Sequence, residues 1–499
     1  MPIPNFVGAR RVKFKNYVND QEADPLNYFR PTTLQELQDI VVEAEGKGYR
    51  VKAIGSGHSS SDIGLTRDYM IDTWGLNRVL DKKWLNLKLE AATDRNLYFL
   101  ECGIRLKDLI KFLDGEGKAL INMGAYTGQT LAGVLSTSTH GSGILLGAFP
   151  SYVEAIILLG ECGKLYHIER SGARAISNGP VKLDGFGGIQ FWADDDKFKA
   201  VAVSMGCMGI IYAVVLRVTD AYMLEENRFF SKWHLIQREL AYGDLLQTNR
   251  HVEVLVDPYP DKKGEYRCLV TKRCIPKVPK KRPLIKKGHR KFIYEVGLTI
   301  VPSKLVDFFM RTILNHFPKC VPWMAGFLIT SLTDRDYVDK SYKVLDLGKA
   351  NNLAAFATEI CFPKDKYIAA TEALIRIVAQ SVRDGSQYLG CPFSLRFVQT
   401  NDLYLSMQYE GDRGDYVCMI EFPTVSETIG AMEMLGRIEF AMYDFGGIPH
   451  WGQINHVACA GQSAVDRLYP DFGKWLAVYR KLCPKGTFQN DFMRRCGIA

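Results

Sequence analysis

Two hydrophobic periods alternate along the chain, and the first switch between them comes early. After Pro31-Thr32-Thr33, apolar side chains recur at Leu34, Leu37, Val41 and Ala44, the spacing of one helical face. Thr33 followed three residues later by Glu36 is a capping box, and Gly46 with Gly48 ends the helix. A short strand-like run follows at Val51–Ile54 and leads into Gly55-Ser56-Gly57-His58-Ser59-Ser60-Ser61-Asp62. The order partly recurs: residues 98–101 read as a strand, Gly103 as a turn, and 106–113 as a short amphipathic helix stopped by Gly115 and Gly117. Residues 152–159 and 164–168 predict a hairpin turning through Gly160-Glu161-Cys162-Gly163. Residues 201–218 predict a helix passing into a strand, with Gly206 and Gly209 at the transition.

Past residue 225 the pattern changes to a mixed one. Strand-like runs fall at 252–256, 266–271, 354–362, 395–400, 404–408 and 417–422, and helices at 366–383 and 425–443. The expected organisation is therefore a first domain over 1–225 made of two α+β lobes, a mixed α/β domain over 226–445, and a tail over 446–499. That tail again combines aromatics, glycine and histidine, in Pro449-His450-Trp451-Gly452-Gln453 and Pro484-Lys485-Gly486-Thr487-Phe488, and is expected to return to the first domain.

Composition narrows the class without naming a function. The length of 499 residues allows more than one core, and 47% hydrophobic with 24% charged residues is ordinary for a soluble protein. A net charge of +8 gives no argument for nucleic acid as a partner. Residues 272–291 hold ten Lys or Arg, broken by Pro276, Pro279 and Pro283, and read as a solvated loop or a docking patch for an acidic partner or membrane surface. The twelve cysteines form no C-x-x-C, and no cysteine pair accompanies His450 and His456, so no metal site is expected. No apolar run approaches the roughly 20 residues of a membrane span. Free thiols without an export signal point to a cytoplasmic protein. Oligomeric state is not legible.

The chemistry concentrates in three segments rich in Gly, Ser and Thr. The first, Gly55 to Asp62, offers a row of unblocked N–H groups suited to a pyrophosphate, with His58 at its edge. The second runs from Met123-Gly124 to Ser138-Thr139-His140-Gly141-Ser142-Gly143, too poor in apolar side chains to pack unless it wraps a polar ligand. The third is Ser204 to Ile211. None is a P-loop, and the first has Ser60 where a Rossmann fingerprint needs its third glycine.

Together, these segments resemble the FAD-binding domain of the vanillyl-alcohol oxidase superfamily, closest to the branch of sugar-lactone (gulonolactone and arabinonolactone) and alditol oxidases. The resemblance runs nearly end to end, in order, and is weakest between 226 and 390. It implies an α+β protein with a two-lobed FAD-binding domain and a cap domain over the substrate. It implies FAD carried covalently by His58, and cofactor contacts from Gly55, Ser56, Gly57, Ser59, Ser60, Ser61, Asp62, Gly124, Ser138, Thr139, His140, Gly141, Gly143, Gly206, Gly209, Ile210 and Ile211. The implied reaction is oxidation of a CH–OH group in a small molecule by hydride transfer to flavin N5, with O2 as acceptor. Three departures stand out. The branch's Glu-x-Arg reads Ser394-Leu395-Arg396, its C-terminal Lys is Gln453, and a glycine beside the flavin's reactive edge is Ser138, a larger side chain that leaves oxidase versus dehydrogenase open. With Ser394 and Gln453 unsuited to proton transfer, His450 is the first expectation for the catalytic base and Glu359 the second. Arg396 is expected to bind an anionic or carbonyl oxygen, and Tyr126 and Tyr404 to donate hydrogen bonds. Two rivals stay open: a specialised-metabolism flavin oxidase acting on a non-sugar substrate, and a non-enzymatic binding protein on a flavin scaffold.

Overall fold

A computed structural model of the chain describes residues 12–278, 284–285, 311–331, 337–346, 355–385, 387–425, 428–457 and 461–498. Much of the basic stretch at 272–291 lies outside the described residues.

The amino-terminal helix forms as Leu34–Gly46, with the Thr33 side chain accepting from the Glu36 N–H at 3.2 Å. Its inward face (Leu34, Leu37, Ile40, Val41 and Ala44) is fully buried. Beside it lies a parallel sheet of Asn27–Phe29, Tyr69–Asp72 and Val51–Ile54, with Tyr69–Asp72 in the middle. The second lobe is a six-stranded sheet in the order Gln190–Ala193, Leu165–Glu169, Val153–Leu159, Ile210–Arg217, Leu97–Glu101 and Val79–Leu80. Its central strands read as continuous apolar runs because both faces are covered. The expected hairpin pairs Leu159 with Leu165 across its turn.

The cap is built on an antiparallel sheet of nine strands among the described residues. Across its centre run Tyr266–Cys274, His251–Pro260, Phe393–Gln399, Tyr416–Val425 and Ala355–Pro363. Strict alternation divides the strands between two environments. Phe393, Leu395 and Phe397 enter a core shared with helices Tyr367–Arg383 and Ala431–Met442. Ser394 and Arg396, one residue out of phase, line a cavity shared with the Gly55–Ser61 loop. Val254 and Val256 against Glu253 and Leu255, and Ile420 and Phe422 against Glu421 and Pro423, divide in the same way.

The tail packs on the first half. The Trp475 indole N–H donates to the Ala200 carbonyl at 3.1 Å, and the buried Glu161 carboxylate accepts from the N–H groups of Lys485 and Thr487 at 3.0–3.1 Å. The Val51 N–H donates to the Thr487 carbonyl at 2.8 Å, which attaches the tail to the strand leading into the His58 loop.

The pattern misleads at residues 404–408, expected as a strand. The chain turns there instead, with the Ser406 N–H bonded to the Leu403 carbonyl at 3.0 Å. Leu403, Leu405 and Met407 are all buried, but Tyr404 and Ser406 between them and Gln408 after them are buried too. The alternation reflects two kinds of interior rather than an interior and a surface. The helix expected over 425–443 begins later, at Ala431.

Candidate active site

The loop after Val51–Ile54 is held from two directions by residues remote in sequence. The Tyr17 N–H donates to the Gly57 carbonyl at 2.7 Å and the Asn16 amide to the Ser59 carbonyl at 2.9 Å. From the tail, the Gly452 carbonyl accepts from the Ser60 N–H at 2.9 Å, and the Trp451 carbonyl accepts from the Ser61 hydroxyl at 2.7 Å. Gly55 has no room for a side chain, since a Cβ there would stand 2.0 Å from Thr130 Oγ1. His58 lies between two aromatic rings, with centroids 4.3 Å from Tyr17 and 4.5 Å from Tyr126. Burial pushes its imidazole down to about 4, so at neutral pH the ring is uncharged and keeps a lone pair for bonding.

A cavity of about 660 Å³ starts at this loop and ends on the cap sheet. Of the residues expected to hold cofactor, Gly55, Ser56, Gly57, His58, Ser59, Ser60, Ser61, Gly124, Thr139, His140, Gly206, Gly209, Ile210 and Ile211 line it. Gly209 sits at φ +142°, where a Cβ would meet the Leu159 carbonyl at 2.6 Å, so only glycine lets the chain enter strand Ile210–Arg217 there.

Four expected cofactor residues are not in the lining. Asp62 turns to the tail and pairs with Arg495 at 2.6 Å. The Gly141 carbonyl accepts from His140 Nδ1 at 2.8 Å. Gly143 forms a joint with the cap, its N–H donating to the Phe397 carbonyl at 2.5 Å. Ser138 is turned away from the cavity. It is fully buried at φ +55°, and its hydroxyl meets Ser406 Oγ at 2.9 Å and Gln408 Oε1 at 2.7 Å. Its side chain faces the 404–408 turn, away from the cavity.

All five residues expected to carry catalysis, His450, Arg396, Glu359, Ser394 and Gln453, converge on the cap end of the cavity. Glu359 is buried, with His140 Nε2 at 3.2 Å and Arg396 Nη2 at 3.7 Å. Burial alone would raise its carboxyl; the charges of His140 and Arg396 outweigh that and hold it ionised, well below the usual carboxylate range. Both His140 nitrogens face oxygen, Nδ1 the Gly141 carbonyl and Nε2 the Glu359 carboxylate.

His450 departs from its expected role. Its Nδ1 accepts from the Gly452 N–H at 3.0 Å, and burial pushes the ring down to about 4. A neutral imidazole with Nδ1 accepting carries its proton on Nε2, so His450 offers a donor and not a base.

Among the described residues, Ser394 Oγ, Arg396 Nε, Gln453 Oε1 and Glu359 Oε1 are buried without a hydrogen-bond partner. Four orphaned polar atoms at one end of one cavity is the pattern of a site that completes its bonding with a polar ligand. Tyr126 lines the cavity, whereas the Tyr404 hydroxyl bonds Asp196. Asp402 pairs with Arg170 at 2.6 Å and has no part in the Arg396 cluster.

Glu421 belongs to this site and was not anticipated. It lines the cavity, is ion-paired with Arg396, and accepts from the Gln453 amide at 3.3 Å. Its place in the inward phase of the 417–422 run was visible in the sequence. Its neighbours across the sheet were not.

The sequence and fold match known proteins. An FAD binding domain matches residues 25–168, and the family described as D-arabinono-1,4-lactone oxidase matches residues 214–496, more than half of the chain. The chain belongs to the D-arabinono-1,4-lactone oxidase family. It is an FAD-dependent oxidoreductase of the vanillyl-alcohol oxidase type. It is 25% identical over 490 residues to L-gulonolactone oxidase of Bos taurus, covering 98% of this chain and 99% of that protein. It is 27% identical over 488 residues to L-gulono-1,4-lactone dehydrogenase of Mycobacterium tuberculosis (strain ATCC 25618 / H37Rv), covering 97% and 98%. In fold, it is similar to cholesterol oxidase from B. sterolicum, with a TM-score of 0.75 at 13% identity over 99% of both chains.

Proposed function

We propose that this family member oxidises a hydroxyl-bearing carbon of a sugar lactone or closely related polyol to a carbonyl, with O2 as final acceptor. The observation that carries the reading is the row of orphaned polar atoms at Ser394, Arg396, Gln453 and Glu359, in the cavity that also contains His58. Donors and acceptors in alternation suit a small molecule with several hydroxyl or carbonyl oxygens. The names of the relatives, L-gulonolactone oxidase and L-gulono-1,4-lactone dehydrogenase, agree with that substrate class.

When bound, FAD supplies the hydride acceptor, flavin N5. The chain's residues do the rest. The N–H groups of the Gly55–Ser61 loop are the proposed pyrophosphate cradle, and the loop can close on Thr130 because position 55 has no Cβ. His58 is the proposed point of covalent attachment, supported by its uncharged ring and its place on the cavity wall. Attachment would fix the cofactor and raise its potential. Arg396 would orient a substrate oxygen, and the His450 Nε2–H would donate to one. We assign 1–225 and 446–499 to the cofactor-holding half and 226–445 to the cap, supported by one core drawn mainly from the first half and the tail, which also takes in Leu403, Leu405 and Met407, and a second drawn mainly from 226–445. Among the described residues no helix is long and apolar enough to cross a membrane, and the cysteines are free thiols. Both agree with a cytoplasmic location.

The test is anaerobic mixing of the purified holoprotein with L-gulono-1,4-lactone or D-arabinono-1,4-lactone. Bleaching of the flavin by either is expected; no bleaching by both refutes the lactone reading. Ser394 and Gln453, where the branch carries an acid and a base, favour a second reading, a non-sugar alcohol, and bleaching by such an alcohol alone would establish it. Denaturation tests the link. The yellow colour should stay with the precipitated chain and wash away from His58→Ala; colour lost from the unaltered chain refutes the attachment and leaves FAD binding intact.

A further inference from the structure

Ser394 is the direct register partner of Glu421, and Glu421 is the direct partner of Glu359 on its other side. Facing partners on one side of an antiparallel sheet hold their Cβ atoms about 5 Å apart. A side chain as short as serine at 394 therefore leaves open the space into which Glu421 reaches. The two carboxylates are not equivalent. Glu359 is sealed, its side chain 5% exposed and claimed by His140, whereas 27% of the Glu421 side chain is open. An ionised carboxylate has about four acceptor positions. Arg396 and Gln453 occupy one oxygen each on Glu421, so acceptor positions remain, beside the orphaned Ser394 hydroxyl.

We propose that Glu421 is the catalytic base of this enzyme, accepting the hydrogen bond and then the proton of the substrate hydroxyl. The inference rests on the proposed function and assigns the role that His450, protonated on Nε2, does not fill. In the step the substrate O–H bond breaks and its proton goes to the Glu421 carboxylate. The O–H electron pair becomes the second bond of the new carbonyl, and the C–H pair leaves as hydride to the FAD of this family. Burial raises the Glu421 carboxyl, Arg396 and the Gln453 amide oppose that, and Glu359 and Glu253 reinforce it. The net direction is upward, which makes the carboxylate a better proton acceptor than an ordinary one. Behind Glu359 stand His140, its Nε2 3.2 Å from the carboxylate, and the uncharged His450, whose backbone N–H donates to the Glu359 carbonyl.

The experiment measures anaerobic flavin reduction against pH in the holoprotein, with L-gulono-1,4-lactone, D-arabinono-1,4-lactone and xylitol as probes. Three proteins are compared: the unaltered chain, Glu421→Gln, and the double variant Ser394→Glu with Glu421→Ser. The unaltered chain should slow as pH falls through the Glu421 range. Glu421→Gln should be slower by about 100-fold or more and lose that acid limb. The double variant, with the carboxylate moved to the facing position, should regain at least tenfold and the limb. Glu421→Gln within threefold of the unaltered chain, or slow with the limb intact, overturns the proposal. If Glu421→Gln does not fold, the double variant decides: folded and active with the limb supports the assignment, folded and inactive overturns it. Reduction by xylitol but by neither lactone refutes the lactone substrate while Glu421 is judged on xylitol. No reduction of the unaltered chain by any of the three overturns both.

Discussion

Gly55→Ala probes the closest approach in the cofactor loop. The backbone at Gly55 is outside the left-handed region, so alanine is free of backbone strain and the whole effect is steric. The new Cβ would stand 2.0 Å from Thr130 Oγ1, 3.1 Å from its Cβ and 3.2 Å from its Cγ2. Thr130 cannot yield freely. It is buried, and its hydroxyl caps helix Leu131–Ser136 through the Gly133 N–H at 3.4 Å. Overpacking of this kind costs about 1–3 kcal/mol, and losing the cap adds about 1. Gly55→Ala should therefore destabilise by about 2–4 kcal/mol and lower the flavin content of the purified protein. Thr130→Ala by itself should cost about 1 kcal/mol. In the double variant the 2.0 Å conflict is gone and only the 3.1 Å contact remains. Its cost should fall short of the two single costs together by at least about 1 kcal/mol. Urea unfolding of the four proteins, with flavin absorbance per chain, measures this. Costs that add to within about 0.5 kcal/mol, or a Gly55→Ala protein as stable and as yellow as the unaltered one, would refute the reasoning.

Three further outcomes are expected. His251 is buried in the cap with Nδ1 bonded to the Ser142 carbonyl at 2.7 Å, and burial pushes its ring down to about 3. Its ordinary value is about 6.5, so below that the unfolded chain binds the extra proton, and stability is lost as pH falls from 6.5 toward 3 at up to about 1.4 kcal/mol per unit. His251→Asn, which keeps a donor near Nδ1, should lose less between pH 6 and 4 by urea unfolding; equal slopes contradict the assignment. Ser138→Ala should cost only about 1 kcal/mol, because Gln408 Oε1 still accepts from the Ser406 hydroxyl and Ser406 Oγ from the Asn401 amide, and should change flavin reoxidation by O2 less than twofold. A large change in that rate would return Ser138 to the cavity. Glu161→Ala should cost about 2–4 kcal/mol and make the tail beyond Leu482 sensitive to limited proteolysis, because three backbone and thiol donors lose their shared carboxylate; an unchanged digest would refute it.

What could be read in advance follows from the range of the forces involved. Helix Leu34–Gly46 and the cap at Thr33 depend on neighbours within four residues, and the sequence displays them directly. The convergence of Ser394, Arg396, His450 and Gln453 was legible only because family motifs tied them to one site. The roles of Ser138 and His450 were not legible. Ser138 was expected beside the flavin, but its hydroxyl is held by Ser406 and Gln408, more than 260 positions away. The His450 tautomer is decided by one N–H, that of Gly452, whose direction depends on the whole tail docking against Ser59 and Thr137.

The sequence by itself determined the local elements, the glycine-lined cofactor loop and the family, because periodicity, caps and turn residues act over a few positions. Tertiary structure decided which side chains share the floor of the cavity. Glu421, Ser394, Glu359 and Glu253 lie on four strands scattered over nearly 170 positions, and only sheet register brings them side by side. A shift of one residue in any of those pairings would move that strand's polar set into the apolar core and its Leu and Phe side chains into the cavity. Burial on the helix-covered face therefore holds the register, and the register holds the site.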